Sequence, residues 1–132
     1  MHADKDGVTL AYIGYQGDDN LDGLIAESEL PEAVVYLVSS NPTGVSWTQP
    51  AAISTGEVIS SAALSFSDDG SLDFAQLSED RTVELCRYAS GALSCQDTGS
   101  STIDSLAALS DRTAASLYDD STGRWMITPF SW

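Results

Sequence analysis

Apolar positions along the chain come in short runs, and each run closes on a polar turn carrying Gly, Asp or Asn. Within the runs, apolar and polar residues alternate with the period of two that sends successive side chains to opposite faces of a strand. Helical periodicity is nearly absent. The longest stretch compatible with a helix, Asp104 to Ala115, is interrupted by Ser and Thr. The pattern predicts strands over Val8–Tyr15, Leu24–Ser28, Ala33–Ser39 and Val45–Ile53. A second group covers Ile59–Phe66, Leu72–Leu77, Thr82–Tyr88 and Ala92–Gln96, and a third covers Ser105–Leu109, Thr113–Tyr118 and Arg124–Phe130. About eleven strands with a turn every 8–12 residues point to an all-β sandwich, barrel or propeller.

A weak internal repeat favours the propeller over the sandwich. VVYLVSSNPTGVSWTQP, LDFAQLSEDRTVELCRY and AASLYDDSTGRWMITPF each read as a strand, a polar turn and a second strand. Two of them follow small-residue runs, SSAALSFSDDG and DSLAALSD, which suit a crowded inner strand. Ala63 and Ala107 stand about 44 residues apart, a usual blade repeat. The chain therefore divides into units at 7–54, 58–98 and 103–132 of a single all-β domain, 1–132, or of part of a propeller. Three units do not close a ring, so a homo-oligomer or a longer protein is expected.

The stretch AALSFSDDGSLDFAQLSEDRTVELCRY resembles one blade of the fungal fucose-lectin type of β-propeller. Separately, Ser40-Asn41-Pro42-Thr43-Gly44-Val45-Ser46-Trp47 resembles the Asp-box of sialidase-like propellers, with Pro42 where the Asp belongs. The lectin resemblance implies a sugar gripped by an Arg, a Glu and an aromatic face. In the second unit Glu84 occupies the Glu-like strand, but Asp73 stands where the Arg is expected. In the third, Arg112 takes the Arg-like place and Trp125 the aromatic one. Trp125, Arg112, Glu84, Arg87 and Trp47 are the candidate ligand contacts. The competing role for Trp47, Trp125 and Trp132 is packing between sheets.

Charge changes the picture of partners. Twenty acidic residues face 5 Lys and Arg, a net charge of −15. Such a surface repels nucleic-acid phosphates and anionic membranes. No apolar run approaches the length of a membrane-spanning helix. A neutral glycan or a basic protein partner fits better. The start, Met1-His2-Ala3-Asp4-Lys5, shows no apolar signal segment.

Cysteine placement bears on compartment. Cys86 and Cys95 lie in ELCRYASGALSCQD, which reads as a hairpin turning at Ser90-Gly91. A two-residue turn pairs Ala89 with Ala92, Tyr88 with Leu93 and Cys86 with Cys95. The cysteines then form a non-hydrogen-bonded pair, the closer of the two pair types, and a cross-strand disulfide is expected. A disulfide favours a secreted, extracellular protein.

Asp18-Asp19-Asn20-Leu21-Asp22-Gly23, with Glu29 behind it, fits the calcium-loop pattern. Asp18, Asn20 and Asp22 would offer side-chain oxygens, Leu24 its carbonyl and Glu29 a carboxylate to Ca2+. The flanks are strand-like and Pro31 follows, which argues against an EF-hand. The run resembles the calcium hairpins of integrin-type propellers, except that Ala26 replaces an acid. Equally, Asp-Asp-Asn and Asp-Gly are strong turn formers, and the first reading is an acidic turn. Asp68-Asp69 and Asp119-Asp120 read as solvated hairpin tips. Catalysis finds little footing. Four Arg are scattered, and His2, the single histidine, falls at a terminus expected to fray. The expected function is a non-enzymatic carbohydrate-binding module. A secreted interaction domain binding a basic partner is second, and a diverged glycosidase third.

Overall fold

The computed structural model describes residues 1–16, 32–43 and 46–132. Twelve strands and no helix occur among them. The first antiparallel sheet is ordered β1 (His2–Asp4), β2 (Gly7–Gln16), β3 (Glu32–Ser39) and β4 (Ala51–Ala52). The middle sheet holds β5 (Glu57–Val58), β6 (Ser65–Phe66), β7 (Leu72–Leu77), β8 (Val83–Ala89) and β9 (Ala92–Asp97). Both β5 and β6 pair with β7, at its opposite ends. The third sheet runs β10 (Ile103–Ala108), β11 (Arg112–Asp119) and β12 (Arg124–Ser131). The chain is thus all-β, built of antiparallel hairpins, as the alternation predicts. The predicted strand Leu24–Ser28 and the calcium-loop residues Asp18, Asn20, Asp22, Leu24 and Glu29 lie outside the described residues.

The three sheets stack face to face, and the middle one is buried on both sides. Leu72, Phe74 and Cys86 turn toward Ala33 and Val35 of the first sheet. Ala75, Val83 and Leu85 turn toward Ile103, Leu106, Ala115 and Leu117 of the third. Every residue of β7 up to Gln76 is buried, so its sequence shows only part of the alternation of a one-faced strand. Each large apolar side chain enclosed here is worth about 1.5–3 kcal/mol relative to exposure.

Two predicted strands are broken in the structure. Val45–Ile53 yields only an isolated bridge between Ser40 and Trp47 and the short β4. Of Ile59–Phe66 only its last two residues form a strand, β6; β5 ends just before it, and between them lies a turn closed by the Ala62 N–H donating to the Ile59 carbonyl at 3.1 Å. The cause lies in two buried anchors. Gln76 Oε1 accepts from the Thr55 and Gly56 N–H groups, while its Nε2 donates to Thr55 Oγ1 and Glu84 Oε2. This holds the chain beside β7 only as far as Ile59. The small Ala/Ser run then leaves the ladder and drops Ala62 between the middle and third sheets.

The cysteine hairpin forms in the predicted register. Ala89 faces Ala92, Tyr88 faces Leu93, and Cys86 faces Cys95. Positive φ at Ser90 (53°) and Gly91 (79°) gives the turn that matches strand twist. Cys86 and Cys95 are joined, with Cα atoms 4.1 Å apart.

One polar cluster joins the middle sheet to the third. Register sets Asp73 opposite Arg87 on the face toward the third sheet. Arg87 Nε donates to Asp73 Oδ1 at 2.7 Å and its Nη2 to Oδ2 at 2.9 Å. The same guanidinium donates to the carbonyls of Leu109, Ser110 and Arg112, in and after the β10–β11 turn. Thr113 Oγ1 donates to Asp73 Oδ2, and Trp132 Nε1 donates to Thr113 Oγ1 at 2.7 Å. Arg87 also lies 5.6 Å from the Trp132 ring centre. Asp73 and Arg87 are 1% and 5% exposed, so the pair is dry and has no water to fall back on.

Removing one partner strands the other. Arg87→Met is expected to cost about 3–5 kcal/mol in urea unfolding, and Thr113→Val about 1–3 kcal/mol, because Asp73 and Trp132 each lose a partner. A loss below 1 kcal/mol for Arg87→Met would show the pair to be incidental. Replacing both cysteines by serine removes a short cross-link and is expected to cost about 2–3 kcal/mol in the same assay.

Candidate functional site

A cleft of about 670 Å³ opens between the first and middle sheets, at the end of the stack that carries the β6–β7 and β8–β9 turns. From the first sheet and the segment between its β3 and β4 come Thr9, Ser39, Thr48 and Gln49. From the middle sheet come Phe66, Asp69, Tyr88 and Ser90. The elements explain the placement. Thr48 is fixed by its N–H donating to the Ser39 carbonyl and its Oγ1 accepting from the Ser39 N–H at 2.9 Å. Tyr88 sits at the end of β8 on the face toward the first sheet, opposite Leu72 and Leu93. His2 does not fray: its ring packs on Phe66 at 5.9 Å between centres and lies against Gly70. Strand β1 carries it there, and it braces the first sheet against the Ser67–Ser71 turn.

That turn is organised around Asp69. The Ser67 hydroxyl and the Ser71 N–H, the latter at 2.9 Å, both donate to Asp69 Oδ1. Led by the Ser67 hydroxyl, these bonds favour the ionised carboxylate and lower its pKa from 3.8 to about 2. A second cleft, about 420 Å³, lies at the opposite end of β8, between the middle and third sheets. It is lined by Thr98, Tyr118, Asp119 and Ser121 among others. Asp119 is also held below the usual carboxylate range, first by the Ser121 hydroxyl, which donates to Oδ1 at 2.7 Å.

The candidates named from sequence do not converge. Arg87 is buried, and its donors go to Asp73 and the three carbonyls. Glu84 is half-buried beside the disulfide and accepts from Gln76 Nε2 at 3.0 Å. With Cys86 and Cys95 it forms a close group of potential metal-binding atoms, but both sulfurs are in the disulfide and offer no thiolate. Glu84 and Arg87 leave β8 on opposite faces. Arg112 is exposed and paired with Asp111, which raises the Arg112 pKa and lowers that of Asp111. Trp125 is 52% exposed and packs edge-on against Tyr118. Arg112 is opposite Ser131 and Trp125 opposite Tyr118. They are thus six residues apart along β11, about 20 Å at strand rise. Trp47 is exposed at the bridge to Ser40, next in sequence to the cleft residues Thr48 and Gln49. In the segment that resembles an Asp-box, Asn41 Oδ1 accepts from Thr43 Oγ1 at 3.0 Å and from the Ser46 N–H at 3.4 Å.

Sequence reasoning passed over Tyr88, Asp69, Thr48 and Gln49. Asp69 reads as a hairpin tip and Tyr88 as a strand end, and only sheet packing brings them to one cleft. No protein-family model, curated protein or solved structure matches this chain.

Because the Asp69 pKa is depressed on folding, its contribution to stability is full above pH 3.8 and lost as pH falls toward about 2. Carboxyl NMR titration of Ser67→Ala is expected to move Asp69 up toward its ordinary value, with Asp119 unchanged. An unmoved Asp69 would contradict the assigned cause.

Proposed function

We propose that this chain is a non-enzymatic carbohydrate-binding module, secreted, whose three sheets act as blades of a propeller-like ring, with the sugar held in the cleft between the first and middle sheets. The observation that carries this reading is the lining of that cleft. Thr9, Ser39, Thr48, Gln49 and Ser90 offer neutral donors and acceptors, Asp69 offers a carboxylate fixed in the ionised state, and Tyr88 and Phe66 offer aromatic rings. A sugar presents hydroxyls beside C–H faces, and this mixture meets both. The Ser67 hydroxyl and the Ser71 N–H both donate to Oδ1, and the Ser71 side chain also bonds the carboxylate, which fixes it at the mouth of the cleft. With a net charge of −15, a neutral ligand also avoids the repulsion that an anionic one would meet. The face-to-face stacking of successive sheets supports the blade reading.

Titration with a panel of monosaccharides at millimolar concentration, followed by amide NMR, is expected to shift residues 48–49, 69–71 and 88–90. Tyr88→Ala is expected to weaken binding about tenfold, or about 1.4 kcal/mol. A panel that moves none of these signals would overturn the proposal.

A further inference from the structure

Among the described residues, the three stacked sheets leave two outer faces, and these differ. On the outward face of the third sheet, register sets Ser116 beside Ile127, Tyr118 beside Trp125 and Ala114 beside Pro129. Ile127 is 81% exposed and stands over a hollow of about 180 Å³ lined by Ser105, Ala107, Ala114 and Ser116. On the outward face of the first sheet, Leu10 pairs with Val38 and Tyr12 with Tyr36. The two tyrosine rings stack at 5.4 Å, and Tyr12 is 42% exposed. The third-sheet face holds a hollow floored by small residues, with Ile127 and the Tyr118–Trp125 pair beside it, and the first-sheet face carries the stacked Tyr12–Tyr36 ridge.

We propose that a second copy of this chain seats the Tyr12–Tyr36 ridge of its first sheet on the Ala107–Ala114 hollow of this chain's third sheet, and the reverse, closing a ring of six sheets. The proposal rests on the ring reading above and not on the sugar. Three observations select a second copy. First, the chain makes this kind of contact twice within itself, at the first–middle and middle–third junctions. Second, the ridge lies on one outer face and the hollow on the other, so seating one on the other is a head-to-tail contact. Third, the residues of both patches are uncharged in a chain with 20 acidic and 5 basic residues, so two copies of −15 can meet there without facing like charges directly.

The smaller face sets the area. On the first sheet the two long strands, β2 and β3, at about 4.8 Å spacing and eight residues at about 3.3 Å give roughly 250 Å² in plan. Two such contacts, counted on both partners, bury roughly 1,000 Å², the lower bound for a specific interface.

The test is solution mass by light scattering and sedimentation for the wild type, Ile127→Glu and Tyr12→Glu, with circular dichroism to check folding. The two sites are exposed, on opposite ends of the stack, and neither lies in the buried core. The wild type is expected at twice the 13.9 kDa of one copy, and both folded variants at one copy. A monomeric wild type would leave the faces to some other polypeptide and overturn the proposal. So would three or more copies, or a dimer broken by Ile127→Glu but not by Tyr12→Glu, which would be a face pairing with itself. The 670 Å³ cleft lies within one copy. Sugar shifts retained in the monomeric variants would therefore separate failure of the ring from failure of the ligand.

Discussion

The buried pair of Asp73 and Arg87 is the interaction on which the arrangement of the third sheet depends. Desolvating two charges costs several kcal/mol, and the pair survives because both groups are densely hydrogen-bonded. The carboxylate takes two bonds from the guanidinium and one from Thr113. The guanidinium also donates to three carbonyls in and after the β10–β11 turn, from Nη1 to Ser110 and from Nη2 to Leu109 and Arg112. Apolar contact between sheets tolerates sliding, since one Leu against another is much like the next. A planar fork that must meet three fixed carbonyls does not. The pair thus sets where the third sheet sits, and with it the second cleft and the outward face of β11 and β12.

The first sheet is held by different means. Its contact with the middle sheet is apolar, with Val35, Phe74 and Cys86 at the centre, and one edge is braced by His2 on Phe66. No charged pair crosses this junction among the described residues. The sheets part at the end where the Ser67–Ser71 turn and the Ser90–Gly91 turn emerge, and the polar lining of the larger cleft is gathered there. Rigid turns fixed by Ser67, Asp69 and Gly91 on one side, and a short irregular segment around Thr48 on the other, form a concave site on a packed scaffold.

How much of this can be read in the sequence depends on whether the cause is local. The Ser90–Gly91 hairpin was fully legible, because turn type, register and disulfide all follow from ten consecutive residues. The strands of the second and third sheets were legible from alternation. The break in Ile59–Phe66 was not, because it depends on Gln76 capturing Thr55 and Gly56 from another strand. The roles of Asp73 and Arg87 were misjudged for a similar reason. Arg87 reads as a sugar contact and Asp73 as a departure from the lectin pattern, although the hairpin register already sets them opposite each other. What alternation cannot show is that the face they share is covered by a third sheet. Likewise Tyr88, Asp69 and Thr48 come from three separate segments, and no spacing links them.

The most direct measurement of the central claim is native-state hydrogen exchange, residue by residue, on the wild type and Asp73→Asn. If the buried pair fixes the third sheet, the substitution should lower protection across β10, β11 and β12 together while β2 and β3 keep theirs. Equal loss of protection in all three sheets, or none in the third, would contradict it.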